Sequence, residues 1–188
     1  MLTSHFREYM SKKRLILSQP LLDIILKRLS QEIIENHGDL TDSVIIGLQP
    51  RGTFLADRLV AYLEKVFDKK LLYGKMDATF YRDDFRRRET ILKPNTTEIN
   101  FVIENKKVIL IDDVLATGRM VRAAIDAMQA FGRPVSVELL CLIDRAYRRE
   151  LPFQPDYTGL KVNTQATQQV VVEWKDQGFK EDKIWLVD

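Results

Sequence analysis

Residues 108–120 read VILIDDVLATGRM, and this stretch decides the fold. Four apolar residues, Val108, Ile109, Leu110 and Ile111, are too continuous for a half-solvated strand and predict one buried on both faces. Two carboxylates, Asp112 and Asp113, close the strand. A small-residue turn follows, Ala116-Thr117-Gly118-Arg119-Met120, and a helix is expected over 121–131. A strand that ends in acids and feeds a glycine-containing loop at a helix N-terminus suits a phosphorylated sugar. Loop amides and the helix dipole attract the phosphate, and carboxylates accept hydrogen bonds from ribose hydroxyls. Adjacent carboxylates repel each other, so the pair calls for a diol, a metal or an arginine nearby.

Working outward, the pattern predicts a short strand over 14–18, a helix over 20–36, and a buried strand over 44–48. The turn Gln49-Pro50-Arg51-Gly52 leads into a helix over 53–66 with Leu55, Leu59, Leu63 and Val66 on one face. A strand is expected over 70–80, then a polar arginine-rich loop or two-stranded flap over 81–98. Strands over 107–112, 136–144, 167–174 and 183–187 complete the series. This order indicates an α/β domain with a mostly parallel twisted sheet flanked by helices. Ligands in such sheets bind beyond the carboxyl ends of the strands, where both Pro50-Arg51-Gly52 and Asp112-Asp113 fall.

The bulk properties agree. At 188 residues the chain suits one domain, 1–188, with a sizeable core. A net charge of +2 does not by itself demand a nucleic-acid partner. Cys141, the only cysteine, excludes an intrachain disulfide and is expected in the core. The polar N-terminus lacks a signal-peptide apolar core, so the cytoplasm is the expected compartment. His37 is read as a solvated residue at a helix end. No Cys/His cluster has zinc spacing, and no Walker A or nucleophile-elbow pattern occurs.

VILIDDVLATGRM resembles the signature of type I phosphoribosyltransferases, which bind phosphoribosyl pyrophosphate (PRPP). Four collinear strings, IIGLQPRGTFLADRL, DATFYRDDF, DDVLATGRMVRAAIDAMQAFGRP and DRAYRRELPFQPDYTGLKV, resemble the bifunctional pyrimidine operon attenuator and uracil phosphoribosyltransferase family. The likeness covers about residues 14–174. It implies a type I phosphoribosyltransferase fold with a flexible flap (81–98) and a small hood (145–188 with the N-terminal segment).

The resemblance also assigns roles. Asp112 and Asp113 would hold the ribose hydroxyls. Val114 and Leu115 would contact PRPP, and the amides of Ala116, Thr117, Gly118, Arg119 and Met120, with the Thr117 hydroxyl, would cradle its 5′-phosphate, with Pro50, Arg51 and Gly52 at the diphosphate. A cis non-proline peptide is expected next to Arg51. Arg82, on the flap with Arg86, Arg87 and Arg88, would neutralise the leaving group. Arg145, Tyr157 and Val162 would meet the base. Mg²⁺ is the implied cofactor, held mainly through PRPP and water near Asp112. Implied partners are PRPP, uracil, UMP, diphosphate, a further copy of the chain and RNA, with Lys27, Arg28, Arg145, Arg148 and Arg149 supplying a basic face. Three departures stand out: Ala116 where the family has tyrosine, Met120 where it has threonine, and Tyr147 where it has histidine. Two alternatives stay open: a purine phosphoribosyltransferase, and an RNA-binding regulator with vestigial catalysis.

Overall fold

The computed structural model describes residues 13–83 and 95–188. The chain runs β1 (Lys13–Ser18), α1 (Leu21–His37), β2 (Ser43–Leu48), α2 (Gly52–Phe67), β3 (Tyr73–Met76), β4 (Lys107–Leu115), α3 (Arg119–Met128), β5 (Ser136–Arg145), β6 (Tyr157–Val162), β7 (Gln169–Glu173) and β8 (Lys183–Val187). Five strands form one sheet in the order β3-β2-β4-β5-β6, and every pairing in it is parallel. A second, antiparallel sheet has the order β1-β8-β7.

The apolar runs follow from covering both faces of the parallel sheet. Ile45, Ile109, Ile111, Leu140 and Leu142 pack against α1 and α2. Val44, Ile46, Val108, Leu110 and Cys141 pack on the opposite side against α3. Residues of either parity along β2 and β4 are therefore buried, which erases the usual alternation. Cys141 is in the core as expected.

The small sheet draws on residues 13–18 and 169–187, within the stretch expected to form the hood. Its inner face, Val170, Val172, Trp174, Ile184 and Leu186, joins the core cluster of α1 and α2. Arg58 of α2 fastens it: the guanidinium lies 4.2 Å from the Trp174 ring and pairs with Asp176 at 2.8 Å and Asp182 at 3.4 Å.

Several expectations are revised. The strand expected over 70–80 is only Tyr73–Met76, followed by a 3₁₀ turn at Thr79–Tyr81. The stretch around Pro155 and Gly159 contains an unforeseen edge strand, β6. Helix α3 begins at Arg119, two residues early, because Gly118 takes a left-handed φ of 87° and turns the chain directly into the helix. Of the expected flap, residues 84–94, with Arg86, Arg87 and Arg88, lie outside the described residues, as do residues 1–12. The returning limb docks on β3: Glu98 bridges Lys75, and Gln49 Nε2 donates to the Thr96 carbonyl at 2.6 Å.

His37 is not solvated. Its side chain is fully buried, with Nδ1 2.8 Å from Ser43 Oγ and Nε2 2.9 Å from Glu138 Oε2 and 3.1 Å from the Tyr157 hydroxyl. The helix end turns inward there, against the start of β2 and the middle of the sheet edge.

Candidate active site

At the carboxyl ends of β2 and β4, the loop after β2 and the run from Asp112 to Val121, far apart in sequence, meet in one cleft of about 420 Å³. Gln49, Pro50 and Arg51 line one side, Asp112 and Asp113 the floor, and Val114–Gly118 with Met120 the other side. Arg82 reaches in from the segment after β3, and Val170 from the hood. The parallel pairing of β2 with β4, Ser43 opposite Lys107 through Gly47 opposite Ile111, brings the first two segments level.

Gly52 explains how closely they approach. A Cβ there would lie 2.5 Å from the Ile111 carbonyl oxygen and 2.9 Å from Asp112 Cα. Gly52 itself lies beneath the cleft rather than on its lining, so its role is close approach. The loop has a cis peptide, but at Gln49–Pro50 and not at a non-proline bond beside Arg51. The prolyl tertiary amide makes cis far more accessible at that position.

The acid pair is deeply buried. The Asp113 backbone N–H donates to Asp112 Oδ1 at 2.9 Å. Asp113 Oδ2 is buried with no hydrogen-bond partner among the described residues. Burial, then the charge of Asp113, raises Asp112 well above the usual carboxylate range, with Arg82 pulling the other way. Burial likewise raises Asp113, opposed by Arg51. Two desolvated acids, each facing one arginine, suit a neutral polyol beside a multiply charged anion.

Helix α3 presents its N-terminus to the cleft with no side-chain cap. Its N–H groups just beyond Arg119 are therefore available to an anion. Thr117 Oγ1 accepts the Arg119 N–H at 3.3 Å, which leaves the hydroxyl proton for a ligand. Arg119 itself does not line the cleft. Its guanidinium turns outward to Asp83 and to Glu150 at 2.7 Å, holding the start of the flap segment against α3.

The three residues expected at the base are placed differently. Tyr157 begins β6 opposite Leu140, and its hydroxyl donates to Glu138 at 2.6 Å, away from the cleft. It is a core aromatic, and the base role assigned to it is not supported. Arg145 is buried and bonds Thr164 Oγ1 at 3.0 Å and the Gln168 carbonyl at 2.5 Å, bracing the connection into β7. Val162 pairs with Arg145 and packs on the core. The hood residue that does reach the cleft, Val170, was not foreseen. Because β7 is the edge of its sheet, a row of its backbone groups has no strand partner among the described residues.

A buried acid pair, an arginine loop and a helix N-terminus that meet on one parallel sheet suit a phosphoribosyl ligand. The sequence matches the model of the phosphoribosyl transferase domain over residues 15–177, and the chain belongs to that family. Within it the chain belongs to the PyrR group. It is 43% identical over 162 residues to the bifunctional protein PyrR of Halalkalibacterium halodurans, covering 85% of this chain and 89% of that protein. It is 35% identical over 183 residues to the bifunctional protein PyrR of Bacillus mycoides, covering 95% and 99%. A crystal structure of a hypoxanthine phosphoribosyltransferase from Staphylococcus aureus superposes with a TM-score of 0.68 over 93% of this chain and 92% of that one. At 21% identity that likeness is one of fold alone.

Proposed function

We propose that the chain transfers phosphoribose from PRPP to N1 of uracil, giving UMP and diphosphate. The observation that carries this reading is the convergence of Arg51, Arg82, the Asp112–Asp113 pair and the uncapped α3 N-terminus on one cleft. The 5′-phosphate sits on the amides of residues 116–120, the ribose hydroxyls on the two carboxylates, and the diphosphate beside Arg51 and Arg82. As the bond from C1′ to diphosphate breaks, the arginines neutralise the departing charge and the acids hold the ribose in line. Val114, Leu115, Met120 and Val170 keep the cleft poor in water, which protects a ribosyl centre with cationic character.

The carboxylates fit the implied metal. Asp113 Oδ2 is an unpartnered buried acceptor with Asp112 beside it. Mg²⁺ would be held there mainly through substrate and water. When bound, Mg²⁺ supplies positive charge to the diphosphate.

For the base, uracil offers an N3–H donor and an O4 acceptor, and an edge strand offers a backbone carbonyl and amide to match. Val170 and its neighbours on β7 are the proposed readers. Purified protein with Mg²⁺ and PRPP is expected to convert labelled uracil to UMP with one diphosphate per turnover. Turnover of adenine, hypoxanthine or guanine with uracil inert would overturn the base assignment.

RNA binding is the second activity implied by the family resemblance. It is favoured here by Tyr147, 77% exposed beside Arg148, since an exposed aromatic next to a cation suits an unstacked base. Arg28 contributes less than its charge suggests, because its guanidinium bonds the Thr158 carbonyl at 2.9 Å and the Gly159 carbonyl at 2.8 Å. A pyrimidine-leader hairpin is expected to be retained more tightly with UMP present, and Tyr147→Ala to weaken it. No binding at low salt would dismiss this activity.

A further inference from the structure

We propose that Arg149, together with the backbone of Glu150 and Leu151, is a positioning device that aims the phosphate-binding amides; this rests on the phosphate-loop assignment made above. The Arg149 guanidinium forks behind the loop. One nitrogen donates to the Ala116 carbonyl and the other to the Asp144 carboxylate. The N–H groups of Glu150 and Leu151 both donate to the Thr117 carbonyl, each at 3.0 Å. The same strap continues under Gly118, where an added Cβ would lie 3.0 Å from the Phe153 ring and 3.4 Å from Leu151. The two carbonyls at the tip of the loop are thus both drawn toward one strap.

Peptide geometry turns that into function. In a planar trans peptide the carbonyl of one residue and the N–H of the next point in opposite directions. Pulling back the Ala116 and Thr117 carbonyls therefore directs the N–H groups of Thr117 and Gly118 forward, into the cleft. Arg149 is not itself a phosphate ligand in this arrangement. It lines a separate cavity of about 470 Å³, with Asp144, Phe153 and Lys161, and does not line the cleft. Ala116 is compatible with the arrangement, since the loop is held through its backbone and needs no side chain there.

The strap also accounts for a buried pair that the proposed chemistry leaves unused. Asp144 and Arg149 are 9% and 17% exposed, at the end of β5 and outside the cleft lining. Asp144 fixes one arm of the fork so that the other is committed to the Ala116 carbonyl.

The test compares a ligand that carries the 5′-phosphate with one that lacks it. The readout is the ratio of UMP affinity to uridine affinity by calorimetry. Arg149→Met alone would leave the Asp144 charge buried and unpaired, so it is combined with Asp144→Asn. The double variant is expected to bind UMP about tenfold to a hundredfold more weakly, the range for hydrogen bonds to charged groups. Uridine affinity is expected to stay within about twofold, since the strap acts only on the phosphate amides. Arg149→Lys, which keeps the charge but lacks the fork, is expected to lose the same selectivity in smaller measure. A ratio unchanged in both variants, or equal weakening of UMP and uridine, overturns the proposal. A wild-type protein that binds UMP no better than uridine overturns the phosphate-loop assignment instead.

Discussion

Replacing Gly52 by alanine isolates the close approach between the arginine loop and the acid strand. The new Cβ would stand 2.5 Å from the Ile111 carbonyl oxygen, 2.9 Å from Asp112 Cα and 3.2 Å from Asp112 Oδ1. Comfortable carbon contacts lie at about 3.5 Å, so something must move by roughly 1 Å. Strand β4 is held between β2 and β5 and cannot yield cheaply. The loop must retreat, and Arg51 goes with it, away from Asp113. A displacement of that size at a reacting centre costs about a hundredfold in rate. Overpacking of this kind costs about 1–3 kcal/mol in stability. The better helix propensity of alanine, at most about 1 kcal/mol, does not offset it. In a domain of this size the melting temperature is expected to fall by about 2–10 °C. The assay is kcat/KM for PRPP with saturating uracil, alongside a thermal melt. Activity within about threefold of the parent, with an unchanged melt, would refute the argument that this contact sets the distance between arginine and acids.

Three further outcomes follow from other contacts. Asp113→Asn is expected to lose most activity yet melt higher at neutral pH. Burial raises the folded pKa of Asp113 above its unfolded value, so the ionised form opposes folding at neutral pH. The gain should vanish as pH falls through the raised pKa into the ordinary carboxylate range, and a gain that grew instead would contradict the sign. Tyr157→Phe removes the hydroxyl that meets Glu138 and His37, so stability should drop by about 1–3 kcal/mol with the KM for uracil unchanged. A raised KM with an unaltered melt would return Tyr157 to the base site. Met120→Thr puts a hydroxyl on the cleft lining, and UMP should bind up to about tenfold more tightly; equal or weaker binding in a direct titration would count against a phosphate at that spot.

The readable parts of the site were those written along one stretch of chain. Strand β4, the acids and the loop into α3 are contiguous, so run length, charge and glycine placement disclose them together. Gln49–Gly52 was readable as a turn, and the parallel-sheet rule placed it near the acids. The misreadings fell where partners are distant. Nothing near His37 announces Glu138 and Tyr157, which lie 101 and 120 residues away. Strand β6 was obscured by Gly159, which looks like punctuation. It is instead a close contact, where a Cβ would stand 2.4 Å from the Leu142 carbonyl oxygen and 3.1 Å from Ile25. Val170 escaped notice because it reaches the cleft from a separate sheet, more than fifty residues beyond the acids in the chain. Arg119 and Arg145 were assigned by family resemblance, while geometry commits both to neighbouring loops.

The hood sheet has a temporal consequence for synthesis. Among the described residues strand β1 pairs only with β8, so residues 13–18 wait for that partner until residues 183–187 have left the ribosome. The parallel sheet, with its acids and phosphate loop, can assemble from residues 43–162 well before that. A nascent chain therefore carries an unpaired first strand while its parallel sheet is already able to form. Closing so long a loop is entropically only modestly dearer than closing a short one, but it is slow.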